Sequence, residues 1–323
     1  MDNWRIGWVW ITLSVLSACE MPTTVELPSG LTSTPDTDTI PSLSLDDRVV
    51  SGTEISQTMI NLLTGMPVDD PAVLLRRPLL IKISNASPIV RPQSGLSAAD
   101  LVFEHYAEGG QTRFSALYYS QGADHIGSVR SVRLLDLQLA RAYDAVVVFA
   151  GGSLGVIDTV RSSPLYPYNT ISPQFGYGSP YFERFPRKDL AFEHTLFTDT
   201  AALWQWIDVN QVRQKPEFHA PGIEFRAPIP VNGYPARSAR IEYARTIVHW
   251  QYDVLSGEYF RWADGVPHSD ALTGVQLSFA NIVIFSAYHE EIELFPEKYF
   301  GTQKSLYIEV TGEGPATLLR DGM

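Results

Sequence analysis

The chain has 323 residues, 45% of them hydrophobic and 11% aromatic, enough for two domains with a sizeable core. Its 24 Lys+Arg against 36 Asp+Glu give a formal net charge of -12, which excludes a nonspecific nucleic-acid binder. The one cysteine, Cys19, excludes an intrachain disulfide framework and a cysteine metal site.

Arg5 precedes an apolar run from Ile6 to Leu16, too short to span a bilayer comfortably. Small residues follow and end in Leu16-Ser17-Ala18-Cys19, the order of a bacterial lipobox. Residues 1–19 therefore read as a lipoprotein signal peptide, cleaved before Cys19, with a lipid on that thiol as the link to the membrane. Residues 20–58 read as a disordered tether. From 20 to 47 they are rich in Ser, Thr, Pro and Asp and lack Lys and Arg, so they cannot bury enough apolar surface to fold. A flexible coil of that length spans about 30 Å.

Residues 59–215 read as an N-terminal α/β domain, a mixed sheet with helices. A strand is expected over 78–83. Two more, 101–108 and 112–120, flank Gly109-Gly110 as a hairpin. A two-residue turn pairs Glu108 with Gln111, Tyr106 with Arg113 and Glu104 with Ser115. That register sets Arg113 between Glu104 and Glu108 on one face. It offers either a carboxylate pair for acid–base chemistry on a glycan or an ion cluster that fixes the register.

Residues 126–144 are expected to form a helix capped by Ser128, with Arg130 and Arg133 near its start. An apolar strand over 145–150 follows after a very short link, so helix and strand run antiparallel and their far ends meet. Arg130, Ser131 and Arg133 should then lie beside the turn at Gly151, Gly152 and Ser153, where a second helix begins. Two helix starts, two arginines and a glycine bend suit a carboxylate or phosphate, with Arg91 or Arg113 assisting. Alternatively the arginines pair with Asp136, Asp144 or the Glu104/Glu108 carboxylates. Between Arg76 and Arg141, 8 Arg/Lys stand against 5 Asp/Glu, a local excess of +3 that fits an anion site or internal ion pairs.

Gly151-Gly152-Ser153-Leu154-Gly155 also matches the G-x-S-x-G elbow of serine esterases, with Ser153 as nucleophile. Against it, that fold needs several parallel strands upstream. Seven aromatics lie in the loop 164–186: Tyr166, Tyr168, Phe175, Tyr177, Tyr181, Phe182 and Phe185. They read as packing onto their own domain rather than as a sugar platform. Trp204 and Trp206 fall in an expected helix over 200–207 and read as core.

Several ordered segments carry a family likeness: Leu63-Thr64-Gly65, Arg91-Pro92-Gln93-Ser94-Gly95-Leu96, Ala99-Asp100, Glu104, Glu108-Gly109-Gly110, Thr112-Arg113-Phe114, Ile126-Gly127, Val129-Arg130-Ser131, Arg133 and Gly151-Gly152-Ser153. With them the chain resembles the YerB-type bacterial lipoproteins, domain-of-unknown-function family 3048. The resemblance implies an extracytoplasmic lipoprotein with an α/β N-terminal and a β-rich C-terminal domain, and it supplies no activity. Ser128 stands where the family usually has proline. Phe192-Glu193-His194-Thr195 departs from a usual Pro-His-Asn, which leaves His194 without an inherited role.

Residues 216–323 read as a β-rich C-terminal domain, incomplete at its end, giving an α+β fold overall. Strands are expected at 241–243, 247–254, 258–262, 282–285 and 306–310. His289, Glu290 and Glu291 read as a charged surface. His268 and Asp270 are too sparse for a metal centre, and neither metal nor cofactor is expected. The partners expected are the membrane, through Cys19, and a cell-envelope glycan or peptide.

Overall fold

The strand Leu79–Asn85 reads L-L-I-K-I-S-N, and all seven side chains are buried. Such a strand has to lie inside a sheet covered on both faces. A computed structural model places it there, and describes residues 9–14, 60–86, 88–213, 216–217, 225–226, 229, 232–297 and 301–323. In chain order the strands are β1 (Val9–Ser14), β2 (Leu79–Asn85), β3 (Leu101–Tyr106), β4 (Thr112–Tyr118), β5 (Ile126–Gly127), β6 (Val146–Val148), β7 (Thr170–Ile171), β8 (Phe182–Arg184) and β9 (Leu196–Thr198). They continue as β10 (Ser238–Tyr243), β11 (Thr246–Asp253), β12 (Glu258–Ala263), β13 (Val266–Pro267), β14 (Ser278–Phe279), β15 (Asn281–Ser286), β16 (Tyr288–Glu297), β17 (Gly301–Glu309) and β18 (Ala316–Arg320). Three α-helices are described: α1 (Leu134–Ala142), α2 (Leu154–Ser162) and α3 (Thr200–Val209).

The main sheet is mixed, in the order β18-β15-β1-β3-β4-β2-β6-β7. Side chains alternate across it. Leu80, Phe103, Leu117 and Val147 meet α1 and α2 through Leu135, Leu139, Ile157 and Val160. On the other face Ile81, Ile83, Phe114 and Val148 pack with Leu203 and Trp206 of α3. The same core takes in Val248, Trp250, Tyr259 and Phe279 of the sheet β10–β14. The fold is thus α+β, a mixed sheet with few helices joined to all-β sheets.

Two expectations need correction. The hairpin loop has three residues rather than two: Ala107 N–H donates to Gln111 O at 2.7 Å, and Gly109 and Gly110 both take positive φ, 71° and 72°. The register becomes Glu104↔Phe114, His105↔Arg113 and Tyr106↔Thr112. A one-residue slip reverses faces, so Arg113 shares its face with His105 and not with Glu104.

The helix expected from 126 begins only at Leu134. Gly127, Ser128, Val129, Ser131 and Val132 are weak helix formers, and the backbone has a better partner. Ser84 N–H donates to Ser128 O at 2.9 Å, Arg130 N–H to Lys82 O at 2.9 Å and Val129 N–H to Leu196 O at 2.7 Å. Ser128 is buried in this extended run and caps nothing, while Arg133 takes the N-cap position.

Residues 9–14, read as leader, form β1 between β3 and β15, parallel to both. His289, Glu290 and Glu291 lie in β16, which pairs with β17, with His289 half-buried and both carboxylates exposed, as a charged surface requires. Cys19 and the tether lie outside the described residues.

Candidate anion-binding site

Arg113 leaves β4 on the helix side of the sheet and is only 5% exposed. Its Nη1 reaches Thr112 O at 3.2 Å and Gln111 Oε1 at 3.5 Å, and its Nε–H has no partner. Arg130 comes from the extended run beside β2. Its Nη1 donates to Glu193 O at 3.1 Å, and its buried Nε–H also lacks a partner. Arg133 stands at the start of α1, its Nε and Nη2 on Glu108 Oε2 at 2.6 and 2.5 Å. His194 ends the short 3₁₀ turn Phe192–His194, and its Nδ1 is buried and unpartnered.

These groups feel one another. Burial, then the charges of Arg133 and Arg130, lower the Arg113 pKa, with Glu108 opposing. Burial and then Arg130 hold His194 below its ordinary value, with Arg113 adding to the effect. Among the described residues three guanidinia face one another with a single carboxylate, Glu108, at ion-pair distance. Burying such charge without a counter-ion is costly.

A closed polar network lies underneath. Lys82 Nζ has three acceptors: Asp136 Oδ1 at 2.9 Å, Ser115 Oγ at 2.8 Å and His105 Nε2 at 2.5 Å. Burial pulls Lys82 down to about 8 against the opposing pull of Asp136. Burial, then the Lys82 charge, hold His105 well below its ordinary value, so it is neutral. Its Nδ1–H then donates to Tyr106 O at 2.8 Å, leaving Nε2 to accept from Lys82. Ser115 Oγ–H donates to Asp136 Oδ1 at 2.6 Å, and Asp136 Oδ2 accepts from Arg133 N–H at 2.6 Å. The network therefore fixes the backbone from which Arg133 projects.

The glycine bend closes one side. Ala150 N–H donates to Arg130 O at 2.9 Å and Val132 N–H to Gly151 O at 3.0 Å, so the arginine run and the bend are zipped together. Gly151 has φ of +80°, and a Cβ there would sit 3.7 Å from Ser131 Oγ. A Cβ on Gly152 would press on Ile157 at 3.0 Å and Val132 at 3.3 Å. Ser153 caps α2 through Val156 N–H at 3.4 Å, and its Oγ lies 3.3 Å from Ser305 Oγ. Arg130, Ser131, Arg133, Gly151 and Gly152 thus come together as expected, although the arginines do not share a helix face.

The remaining expected residues do not join them. Arg91 binds Asp264 Oδ2 at 2.5 Å and Thr246 Oγ1 at 2.9 Å, in the β10–β14 region. Glu104 is fully buried on the opposite sheet face and accepts from Arg261 Nη2 at 2.9 Å, Asn85 Nδ2 at 3.1 Å and Thr112 Oγ1 at 2.9 Å. Glu104 and Glu108 hence form no pair, and Glu104 cannot reach a glycan. Among the described residues the Ser153 hydroxyl meets Val156 N–H and Ser305 Oγ and no histidine. His194, which the sequence left without a role, joins the cluster instead. Only the β5–β9 pairing, which leads into its turn, carries it to Arg130.

Residues 63–213 match the N-terminal domain and residues 239–323 the C-terminal domain of the protein family of unknown function DUF3048. The chain belongs to that family. It is 30% identical over 236 residues to a Bacillus subtilis (strain 168) protein named "Putative lipoprotein YerB", a match covering 72% of this chain and 68% of that one. The crystal structure of YerB protein from Bacillus subtilis superposes with a TM-score of 0.66 at 26% identity, covering 82% of this chain and 84% of that chain. The DUF3048 N-terminal match contains every arginine of the cluster and the glycine bend.

Proposed function

We propose that this DUF3048 protein is a lipoprotein held at the outer side of the cell membrane through Cys19, and that its N-terminal domain binds an anionic group of an envelope ligand. Arg113, Arg130 and Arg133 take the anion, and His194 Nδ1 adds a further contact. Ser131, Gly151, Gly152 and Ser153 form the adjoining wall. One observation carries the reading: two guanidinia present buried, unpartnered N–H groups and, among the described residues, have no carboxylate at ion-pair distance, Glu193 and Glu108 acting on them only from further off. An oxyanion would satisfy those donors and offset the charge, and guanidinium–oxyanion hydrogen bonds are the strong kind. The Leu16-Ser17-Ala18-Cys19 sequence and the name of the Bacillus relative support the anchored placement.

Calorimetric titration with sulfate, phosphate and purified peptidoglycan fragments tests the site. Arg113→Met together with Arg130→Met should abolish binding while circular dichroism stays unchanged. Undiminished binding of all three by that double variant would overturn the assignment.

A further inference from the structure

The segment Val9–Ser14 has two roles that exclude each other in time. It is the strand that joins the halves of the main sheet, pairing Val9 to Ser14 with Asn281 to Ser286 on one side and Val9 to Thr12 with Leu101 to Glu104 on the other. It also lies within the leader that cleavage before Cys19 removes, so the inference rests on the lipoprotein reading above. Among the described residues β15 pairs with β1 and β18 and β3 with β1 and β4, and β3 and β15 do not pair with each other. Loss of the leader thus opens a slot one strand wide.

The β3 wall of that slot is interior, while along β15 Ile282 is buried, its neighbours are half-buried and Ser286 is exposed. Leu101, Val102 and Glu104 are fully buried, Phe103 is 3% exposed and Ile282 is fully buried. Unpaired N–H and C=O groups on such strands are costly. A closed sheet edge is restored when an extended chain supplies the missing ladder. The leader itself records what fits: V-W-I-T-L-S, apolar and rich in β-branched and aromatic residues, running parallel to both walls.

We propose that the processed protein carries a strand-addition site between β3 and β15, and that its occupant is an extended apolar peptide of about six residues. The site lies between two sheet strands and uses none of the arginine cluster.

The test uses processed wild-type protein in detergent, with intact mass confirming loss of residues 1–18. The probe is a soluble peptide carrying Val9–Ser14 between terminal lysines, and the control is the same peptide with Ile11→Pro, which lacks one ladder N–H. Saturable binding of the probe, with amide exchange at 101–104 and 281–286 slowed at least tenfold and the proline peptide at least tenfold weaker, is the expected result. Three outcomes overturn it: a mass that retains the leader, which also refutes the processing itself; amides in both strands already protected without peptide, which means the protein's own chain fills the slot; or equal binding of both peptides. Sulfate binding is measured in the same samples, so failure of the anion site and failure of the slot are told apart.

Discussion

The two faces of the main sheet each bury charge, and they treat it differently. On the α3 face Arg261 pairs with Glu104 at 2.9 Å, both fully buried, and Arg91 pairs with Asp264 at 2.5 Å. His268 Nε2 meets Gln93 Oε1 at 2.5 Å, and Asp270 accepts from Gly95 and Ser97 N–H at 2.8 and 2.7 Å. Charges there are answered within the protein and tie the β10–β14 sheet to the main one. On the α1 face Lys82 and Asp136 answer each other, yet Arg113 and Arg130 above them are left with unpartnered N–H groups. Self-sufficient burial on the first face ties the layers together, whereas the open donors on the second are what the proposed anion site rests on.

The contrast is broken most forcefully at the lock. Glu104→Ala leaves the Arg261 charge buried without its partner and should cost roughly 3–5 kcal/mol, read from urea unfolding, with sulfate affinity unchanged in the folded fraction. The arginine cluster should behave in the opposite sense. Without ligand, Arg113→Met should stabilise by about 1 kcal/mol or more, because a buried charge lacking its partner is removed. The same variant should lose about 10–100-fold in sulfate affinity, since a charge-assisted hydrogen bond is worth about 1.5–3 kcal/mol. Loss of stability in that variant would place Arg113 in the structural class instead.

Lys82 gives a titration signature. Its folded pKa of about 8 lies below the roughly 10.4 of an unfolded lysine. Between those values the unfolded chain holds more protons, so the Lys82 contribution to stability rises with pH from about 8 to 10. Lys82→Met should flatten that rise in urea midpoints, whatever it does to the absolute level. The smallest effect belongs to His194, whose pKa lies below its ordinary value through burial and then Arg130. A bound anion favours its protonated form, so sulfate affinity should climb by about threefold toward pH 5, because the bound state takes up the proton. His194→Gln should remove the climb.

The sequence located the arginine run against the glycine bend because the link at Tyr143 and Asp144 is too short for anything but an antiparallel return. That reasoning survived even though residues 128–133 are extended, since only the meeting of the two ends mattered. It missed the hairpin register because Gly109 and Gly110 fit a two-residue turn as well as a three-residue one. The third loop residue is Glu108, which nothing in its own chemistry reveals. Lys82 and Asp136 lie 54 positions apart and meet only through β2 and α1 packing, so no local pattern exposes them. Val9 to Ser14 shows the limit of apolar runs: a leader and a sheet strand can share one composition.

The contact between α1 and β17 bears on the order in which the protein is made. Gln138 on the helix donates to Ile308 O at 2.7 Å and accepts from Val310 N–H at 3.2 Å, across 170 and 172 residues of chain. Ile308 is almost completely buried in the core that holds Leu135 and Leu139. As the chain is made from its amino end, that flank of α1 has to wait for just over half the polypeptide before its cover arrives. A ribosome that stalled between the two halves would release a first half with a wet, sticky helix, so α1 gains its cover only when the last strands have been made.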